Sequence, residues 1–127
     1  MTNLILIYVT CVNKKEAKLI ARNLIEHKLI ACANIINSIE SIYSYNGEIC
    51  NDNETLLLLK TKYNLFEKAK DIIMKLHSYD TPCVMMLDIK NANSDFADWI
   101  AFSIQNRICI LQEFLGYYFS NILILRN

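Results

Sequence analysis

The Asn46-Gly47 pair, between two long segments with strand character, limits the fold of this chain more than any other feature. Both residues tolerate positive φ, as the centre of a tight hairpin turn requires, so segments 33–45 and 48–60 are predicted to pair as antiparallel strands. Thirteen residues at roughly 3.3 Å each allow a strand on the order of 40 Å. A helix over 16–26 covers only about 16 Å. The hairpin therefore extends beyond the helices of its own chain.

An uncovered hairpin exposes a sheet edge together with Tyr43 and Tyr45, which favours pairing with another chain. The alternative is a bulge that folds the hairpin back onto its own domain, and the irregular spacing of Ile36, Ile39 and Ile42 allows it. A hydrophobic content of 54% and a net charge of +0 suit a chain whose surface is partly covered by other copies. We therefore expect an oligomer, with Tyr43 and Tyr45 at its interface.

The rest of the chain predicts the element order β-α-β-β-α-β, followed by a third helix. This order is typical of an α+β, ferredoxin-like split βαβ fold: an antiparallel sheet with helices on one face, here with a long hairpin. One domain is expected over 1–107, with an extension over 108–127 packed on it or on an adjacent subunit. The signals are apolar runs at 4–11 and 83–89, an Asn13/Glu16 helix start, a helix from Asn64 that ends before Pro82, and a third helix capped by Asn93 or Ser94.

Composition excludes several classes of function. Thirteen basic residues balance thirteen acidic ones without a basic stripe, so neither nucleic acid nor an anionic membrane is expected as a partner. Only two glycines are present, so a phosphate-binding loop is not expected, and no Ser/His/Asp set is evident. We therefore predict a protein that is not an enzyme.

Cysteine usage and the two ends of the chain suggest a location. The five cysteines are odd in number and include no CxxC pair, which favours free thiols in a reducing cytosol. The run at 4–12 has no positive charge before it and is interpreted as a strand rather than a secretory signal. The apolar stretch 108–125 is short for a membrane span. These features predict a cytoplasmic protein.

Three side chains are candidates for a metal site. Cys11 ends the first strand, Cys83 begins its antiparallel neighbour, and His77 ends the second helix at the same end of the sheet. Thiolate and imidazole are ligands that Cu(I) and Zn(II) prefer, so copper or zinc is the candidate metal, although no cofactor is required. The alternative is structural: the thiols are small buried hydrophobes, and the imidazole interacts with the end of its helix.

A set of segments between Leu4 and Ile104 occurs in a recognisable order: Lys28–Asn34, Ser41–Tyr43, Tyr45–Ile49, Glu54, Leu57–Thr61, His77–Pro82 and Phe96–Trp99. In these segments the chain resembles the CutA divalent-ion tolerance proteins. The resemblance implies a ferredoxin-like trimer assembled through its hairpins, cytoplasmic and linked to divalent-metal tolerance. It also implies that copper is bound in some members and that no enzymatic reaction is firmly attached.

Several positions depart from the family pattern. Tyr45 stands where the family usually has Trp, and Phe96 where it usually has Tyr. Val9 occupies the aligned position of the copper-binding cysteine, and only His77 of the histidine pair remains. The resemblance therefore implies the family fold more directly than the family copper site.

The resemblance also marks Glu54, Lys60, Tyr79 and Trp99 as candidates at a cleft between subunits. A small anionic ligand near Lys60 would make the protein a sensor or signalling trimer, which is the alternative to a metal-tolerance protein. The structural interpretation is an interface ion pair between Glu54 and Lys60, with Trp99 in the core.

Overall fold

A four-stranded antiparallel sheet forms the centre of the molecule, with strand order β2-β3-β1-β4. The structure is a computed structural model that describes residues 2–105. The α+β class and the ferredoxin-like element order are as predicted. The elements are β1 (Leu4–Cys11), α1 (Lys14–Glu26), β2 (Cys32–Tyr45), β3 (Glu48–Lys62), a 3-10 turn (Tyr63–Leu65), α2 (Phe66–Leu76), β4 (Val84–Asp88) and α3 (Ser94–Ile104).

The hairpin of β2 and β3 is turned by Asn46 and Gly47, whose φ angles of 50° and 77° are those that the sequence predicts. Cys11, the last residue of β1, pairs with Thr55. Residues 48–54 therefore continue beyond β1 and pair only with β2. At about 3.3 Å per residue this outer part extends roughly 23 Å past the end of β1.

A bulge interrupts the pairing of β2 with β3 between Ile36 and Ile39, and Ser38 there adopts a φ of 61°. The bulge does not bury the apolar side chains of the outer hairpin. Ile49 is 86% exposed, and Ile42 and Tyr45 are each 66% exposed. The outer hairpin is therefore an uncovered apolar ribbon in the single chain.

The main core lies between one face of the sheet and the helices α1 and α2. Alternation along β1 and β3 directs every second side chain toward these helices, and those side chains are fully buried. α3 packs in a second cluster with Leu4 and Ala31. Leu4 precedes Ile5, whose side chain faces α1 and α2, so the Leu4 side chain faces the other side of the sheet. α3 therefore covers the end of that opposite face. The two helices of the βαββαβ unit, α1 and α2, share one face as predicted. The fully buried apolar residues of these two strands are Ile5, Ile7, Val9, Cys11, Leu57 and Leu59.

The ends of the helices mostly follow the sequence signals. α2 ends at Leu76, ahead of Pro82. It begins only at Phe66, because Tyr63–Leu65 forms a 3-10 turn and Leu65 supplies no capping side chain. Asn93 precedes α3 as predicted, although its side chain makes no capping hydrogen bond.

Asn13 caps the N-terminus of α1, with its Oδ1 accepting from the Glu16 N–H at 2.9 Å. We expect Asn13→Ala to lower the free energy of unfolding by about 1 kcal/mol, because a first-turn N–H loses its acceptor. Urea unfolding followed by circular dichroism measures the loss. Asn13→Ser is the control, since a serine hydroxyl can accept the same hydrogen bond. An equal loss in both variants would contradict the capping role.

Four cysteines, Cys11, Cys32, Cys50 and Cys83, are free thiols. No helix within residues 2–105 has the length and apolar character needed to cross a membrane. The predicted extension over 108–127, including Cys109, lies outside the described residues.

Candidate functional site

Three chain segments meet at the end of the sheet from which the hairpin extends. β1 ends there with Cys11, the first turn of α1 contributes Glu16, and His77 directly follows α2. All three side chains are buried, and their ligand atoms lie within 4.8 Å of one another. The sequence predicted that Cys11 and His77 share this end of the sheet, and the structure brings their side chains together.

Both nitrogens of the His77 ring are used in hydrogen bonds. Nε2 is 2.8 Å from the carbonyl oxygen of Thr10 and therefore donates to it. Nδ1 accepts from the backbone N–H of Tyr79 at 3.1 Å and lies 3.8 Å from Glu16 Oε1. This pattern assigns the neutral tautomer with the proton on Nε2. A metal at His77 must displace one of these two partners.

Glu16 joins the β1–α1 turn to the loop after α2. Its Oε2 accepts from the Val12 N–H at 2.8 Å, and its Oε1 accepts from the Ser78 N–H at 2.6 Å. Burial acts to raise the pKa of this carboxyl, but hydrogen bonds from Ser78 and Val12 outweigh burial and hold the pKa below its usual value. The carboxylate is thus charged, and each of its two oxygens accepts an internal hydrogen bond.

Burial raises the pKa of the Cys11 thiol to about 12, and the negative charges of Glu16 and Glu54 add to the effect. Without a metal, the group therefore contains a neutral thiol, a neutral imidazole and one carboxylate. A bound cation could deprotonate the thiol, because a coordinating metal stabilises thiolate directly.

Cys83, the third predicted ligand, lies beside this group rather than in it. Val84 pairs with Val9, which faces the helices, so the alternation of β4 directs Cys83 toward the other face of the sheet. Burial and then the charge of Glu54 raise the pKa of the Cys83 thiol. The sequence predicted that β1 and β4 are neighbours, but this was not enough to place the Cys83 side chain. A shift of one residue along a strand moves a side chain to the other face of the sheet.

A cavity of about 600 Å³ adjoins Cys83 between the outer hairpin and the loop over 78–83. Glu54 Oε2 accepts from the Tyr79 hydroxyl at 2.8 Å, which ties the hairpin to the loop. The Tyr43 hydroxyl donates to Asp52 on the same hairpin. The lining residues are Thr10, Tyr43, Tyr45, Asp52, Glu54, Ser78, Tyr79, Asp80, Thr81 and Cys83.

These contacts stabilise the neutral phenols. The hydrogen bond to Asp52 is the main cause that raises the pKa of Tyr43 to about 12. Burial, followed by the hydrogen bond to Glu54, raises the pKa of Tyr79 above its ordinary value. Both hydroxyls therefore remain donors to the carboxylates at neutral pH.

Of the four predicted cleft residues, Glu54 and Tyr79 lie together in this cavity, and the other two lie near α3. Lys60 Nζ donates to Asn34 Oδ1 at 2.8 Å and lies 5.4 Å from the centre of the Phe96 ring. Trp99 packs against Phe96 with a ring separation of 5.4 Å. Within a single chain, Glu54 is thus paired with Tyr79 rather than with Lys60.

The sequence did not identify Glu16, Asp52 or Asp80 as site residues. Glu16 was recognised only as part of a helix start, although its position four residues after Val12 allows it to reach back to that N–H. Asp52 lies two residues before Glu54, so strand alternation could have placed both on one face. No signal in the sequence singled out Asp80.

The fold and this site define a class: small α+β proteins with a βαββαβ sheet whose second and third strands extend beyond it as a long hairpin. The chain belongs to the CutA1 divalent ion tolerance protein family, whose family model matches residues 5–103. The resemblance seen in the sequence is thereby confirmed.

Individual relatives agree with this assignment. The chloroplastic protein CutA of Arabidopsis thaliana is 35% identical over 102 residues, which cover 80% of this chain and 56% of that protein. The chain thus spans just over half the length of this relative. The solved structure of CutA1 from Ehrlichia chaffeensis is 39% identical with a TM-score of 0.78, covering 83% of this chain and 98% of that one. CutA from Archaeoglobus fulgidus, described as periplasmic, is 34% identical with a TM-score of 0.78, covering 80% and 99%.

These relatives contradict the prediction of a cytoplasmic location. One relative is named chloroplastic and another periplasmic, so the family is not confined to the cytoplasm. The prediction was wrong because it relied on an odd number of cysteines, on the residues before β1 and on a cytoplasmic location taken for the whole family. Free thiols report how cysteines pair, and they do not identify a compartment.

Proposed function

We propose that this chain is a non-catalytic, homotrimeric binding protein of divalent-ion tolerance that takes up copper or zinc at Cys11 and His77. The observation that carries the proposal is the meeting of a thiol, an imidazole and a carboxylate within 4.8 Å at the end of β1. Sulfur and nitrogen donors of this kind suit Zn(II) and Cu(I). Cys83, the third ligand expected from the sequence, lines the adjoining cavity on the other face of the sheet and does not belong to this set.

The internal hydrogen bonds shape how such a site would behave. The ion competes with the Tyr79 N–H for His77 Nδ1 and must displace the proton of a thiol whose pKa is about 12. Binding is therefore coupled to proton release and weakens as the pH falls. Val9 stands at the aligned position of the family cysteine, and Cys11, two residues further along the same face, is the thiol that lies within reach of His77.

We expect the affinity for Zn(II) to rise with pH, by about tenfold per pH unit for each proton released. Isothermal titration between pH 6 and pH 8 measures this dependence, and Cu(I) can be titrated in the same way under anaerobic conditions. The double variant Cys11→Ser/His77→Ala should lose the binding, whereas Cys83→Ser should change it little because Cys83 faces the other side of the sheet. An affinity that the double variant leaves unchanged would exclude the site.

The chain offers matched controls for these substitutions. Cys32 is a partly exposed free thiol beside α1, and the exposed His27 ends α1 with its Nδ1 2.7 Å from the carbonyl oxygen of Asn23. Cys32→Ser and His27→Ala should keep wild-type affinity, because both residues are remote from the end of β1. Loss of binding in these controls would point to nonspecific binding by thiols and imidazoles.

A second candidate function is a small-molecule sensor whose ligand occupies the cavity between hairpin and loop. The tie between Glu54 and Tyr79 favours it, because a ligand there contacts both segments at once. Thermal shift against a metabolite panel tests this function, with Tyr79→Phe as the variant that removes the tie. A panel without any stabilising compound would argue against it.

A further inference from the structure

We propose that binding of an ion at Cys11 and His77 releases Tyr79 from Glu54, so that the ion site controls how firmly the outer hairpin is held. This inference rests on the ion site proposed above and adds a consequence for a distant part of the chain. It depends on two hydrogen bonds that connect His77, through one residue of the loop over 78–83, to the hairpin.

Tyr79 contacts a candidate ligand on one side and the hairpin on the other. Its backbone N–H donates to His77 Nδ1 at 3.1 Å, and the centres of the two rings are 4.8 Å apart. Its hydroxyl donates to Glu54 Oε2 at 2.8 Å. Glu54 belongs to the part of β3 that continues past β1 and pairs only with β2. One half-buried residue therefore joins the ion site to the outer hairpin.

The lone pair that holds the Tyr79 N–H is the lone pair that an ion requires. A neutral imidazole has one nitrogen that accepts and one that donates, and here Nε2 of His77 donates to the Thr10 carbonyl oxygen. An ion at Nδ1 takes the lone pair from the Tyr79 N–H directly. An ion at Nε2 requires the proton to move to Nδ1, which then donates and cannot accept. The Tyr79 N–H loses its acceptor in either case.

Loss of this acceptor favours movement of Tyr79. An N–H that is partly buried and has no partner is unfavourable, and the loop over 78–83 has no regular secondary structure to hold it in place. The ring moves with the backbone as the N–H turns toward water. The hydrogen bond from the hydroxyl to Glu54 is lost once its two oxygens separate by roughly 1 Å more. The neighbouring Ser78 adds to the effect, because its N–H shares Glu16 Oε1 with an ion at this site.

The coupling acts in both directions, because the free energy that links two binding events is reciprocal. An ion should loosen the hairpin, and loss of the contact with the hairpin should strengthen ion binding. Tyr79→Phe separates the two ends of the connection. It removes the hydroxyl that reaches Glu54 and keeps the backbone N–H that donates to His77.

Hydrogen exchange of the amides over 48–54 tests the proposal, with and without saturating Zn(II), on the full chain in the oligomer that it forms. In wild type we expect Zn(II) to accelerate this exchange by roughly fivefold or more. In Tyr79→Phe the exchange should already be fast, and Zn(II) should add little because the contact that it breaks is absent. Tyr63→Phe is the control and should respond as wild type does, since Tyr63 is 60% exposed at the start of the 3-10 turn before α2.

The affinity for Zn(II) is a second measurement. Isothermal titration should show binding that is tighter by roughly fivefold in Tyr79→Phe and unchanged in Tyr63→Phe. In Cys11→Ser/His77→Ala, which lacks the proposed ligands, Zn(II) should leave the exchange over 48–54 as it is. Acceleration in that variant would show that Zn(II) acts on the hairpin by another route, and would overturn the coupling.

The remaining outcomes separate the coupling from the ion site. If Zn(II) binds to wild type but does not change the exchange over 48–54, the coupling is wrong and the ion site stands. Equal acceleration in wild type and Tyr79→Phe would also overturn the coupling, because the hydroxyl would then have no part in it. If wild type binds neither Zn(II) nor Cu(I), the ion site and the coupling fail together.

Discussion

Replacement of Glu16 by alanine should lower the free energy of unfolding by about 3 kcal/mol, because two hydrogen bonds to a charged acceptor are lost together. The Val12 and Ser78 N–H groups, at 2.8 and 2.6 Å from the carboxylate, would both lose their acceptor. The side chain is only 7% exposed, so water would replace the carboxylate poorly. Urea unfolding at fixed protein concentration measures the change.

Two variants test whether the effect belongs to the carboxylate. Glu16→Gln keeps one acceptor oxygen but turns its amide nitrogen toward one of the two N–H groups, so an intermediate loss is expected. Glu26→Ala removes an exposed carboxylate at the end of the same helix and should change the stability by less than about 0.5 kcal/mol. Equal losses for Glu16→Ala and Glu26→Ala would show that Glu16 does not join the two segments.

The same carboxylate gives a pH dependence of definite sign. Its pKa in the folded protein is below the ordinary value of 4.5, so the folded state favours the charged form. The stabilisation is fully present above pH 4.5 and is lost as the pH falls through the folded-state pKa. The difference in stability between wild type and Glu16→Ala should therefore shrink below pH 4.5. A difference that stays constant down to pH 3 would contradict this origin.

The sequence predicted local features well because short-range chemistry determines them. Asn46-Gly47 turns the hairpin because both residues accept positive φ, and Asn13 caps α1 because its amide oxygen reaches the Glu16 N–H. The length of the hairpin followed from these signals and from the apolar alternation. α2 also ends before Pro82, as the restriction on residues before proline requires.

The site was harder to predict because it depends on contacts between distant segments. Ser78 is 62 residues from Glu16, and no periodicity relates them, so Glu16 was seen only as a helix-start residue. Cys83 illustrates a different difficulty. The pairing of β1 with β4 was predicted correctly. Cys83 directly precedes Val84, however, and a shift of one residue in the register decides which face of the sheet its side chain occupies.

The face of the sheet opposite α1 and α2 carries exposed apolar side chains. Strand alternation directs Leu58 and its partner Tyr8 away from α1 and α2, together with Met85 and Leu87, which are 50% and 46% exposed. α3 covers only the end of this face near Leu4. An uncovered apolar sheet face continuous with an exposed hairpin is typical of a surface that other copies cover.

If three copies pack through this face, Leu58→Glu should convert the trimer into monomers, because an unpaired carboxylate would be buried at every contact at a cost of several kcal/mol. Multi-angle light scattering should give about three times 14.7 kDa for wild type and one times that mass for the variant.

Leu19→Glu is the matched control, since Leu19 is 52% exposed on α1, on the helical side of the sheet, and should leave the mass unchanged. Circular dichroism should show that the Leu58 variant remains folded, because in a single chain the side chain is only half-buried. A monomeric wild type, or a trimeric Leu58→Glu, would contradict assembly through this face.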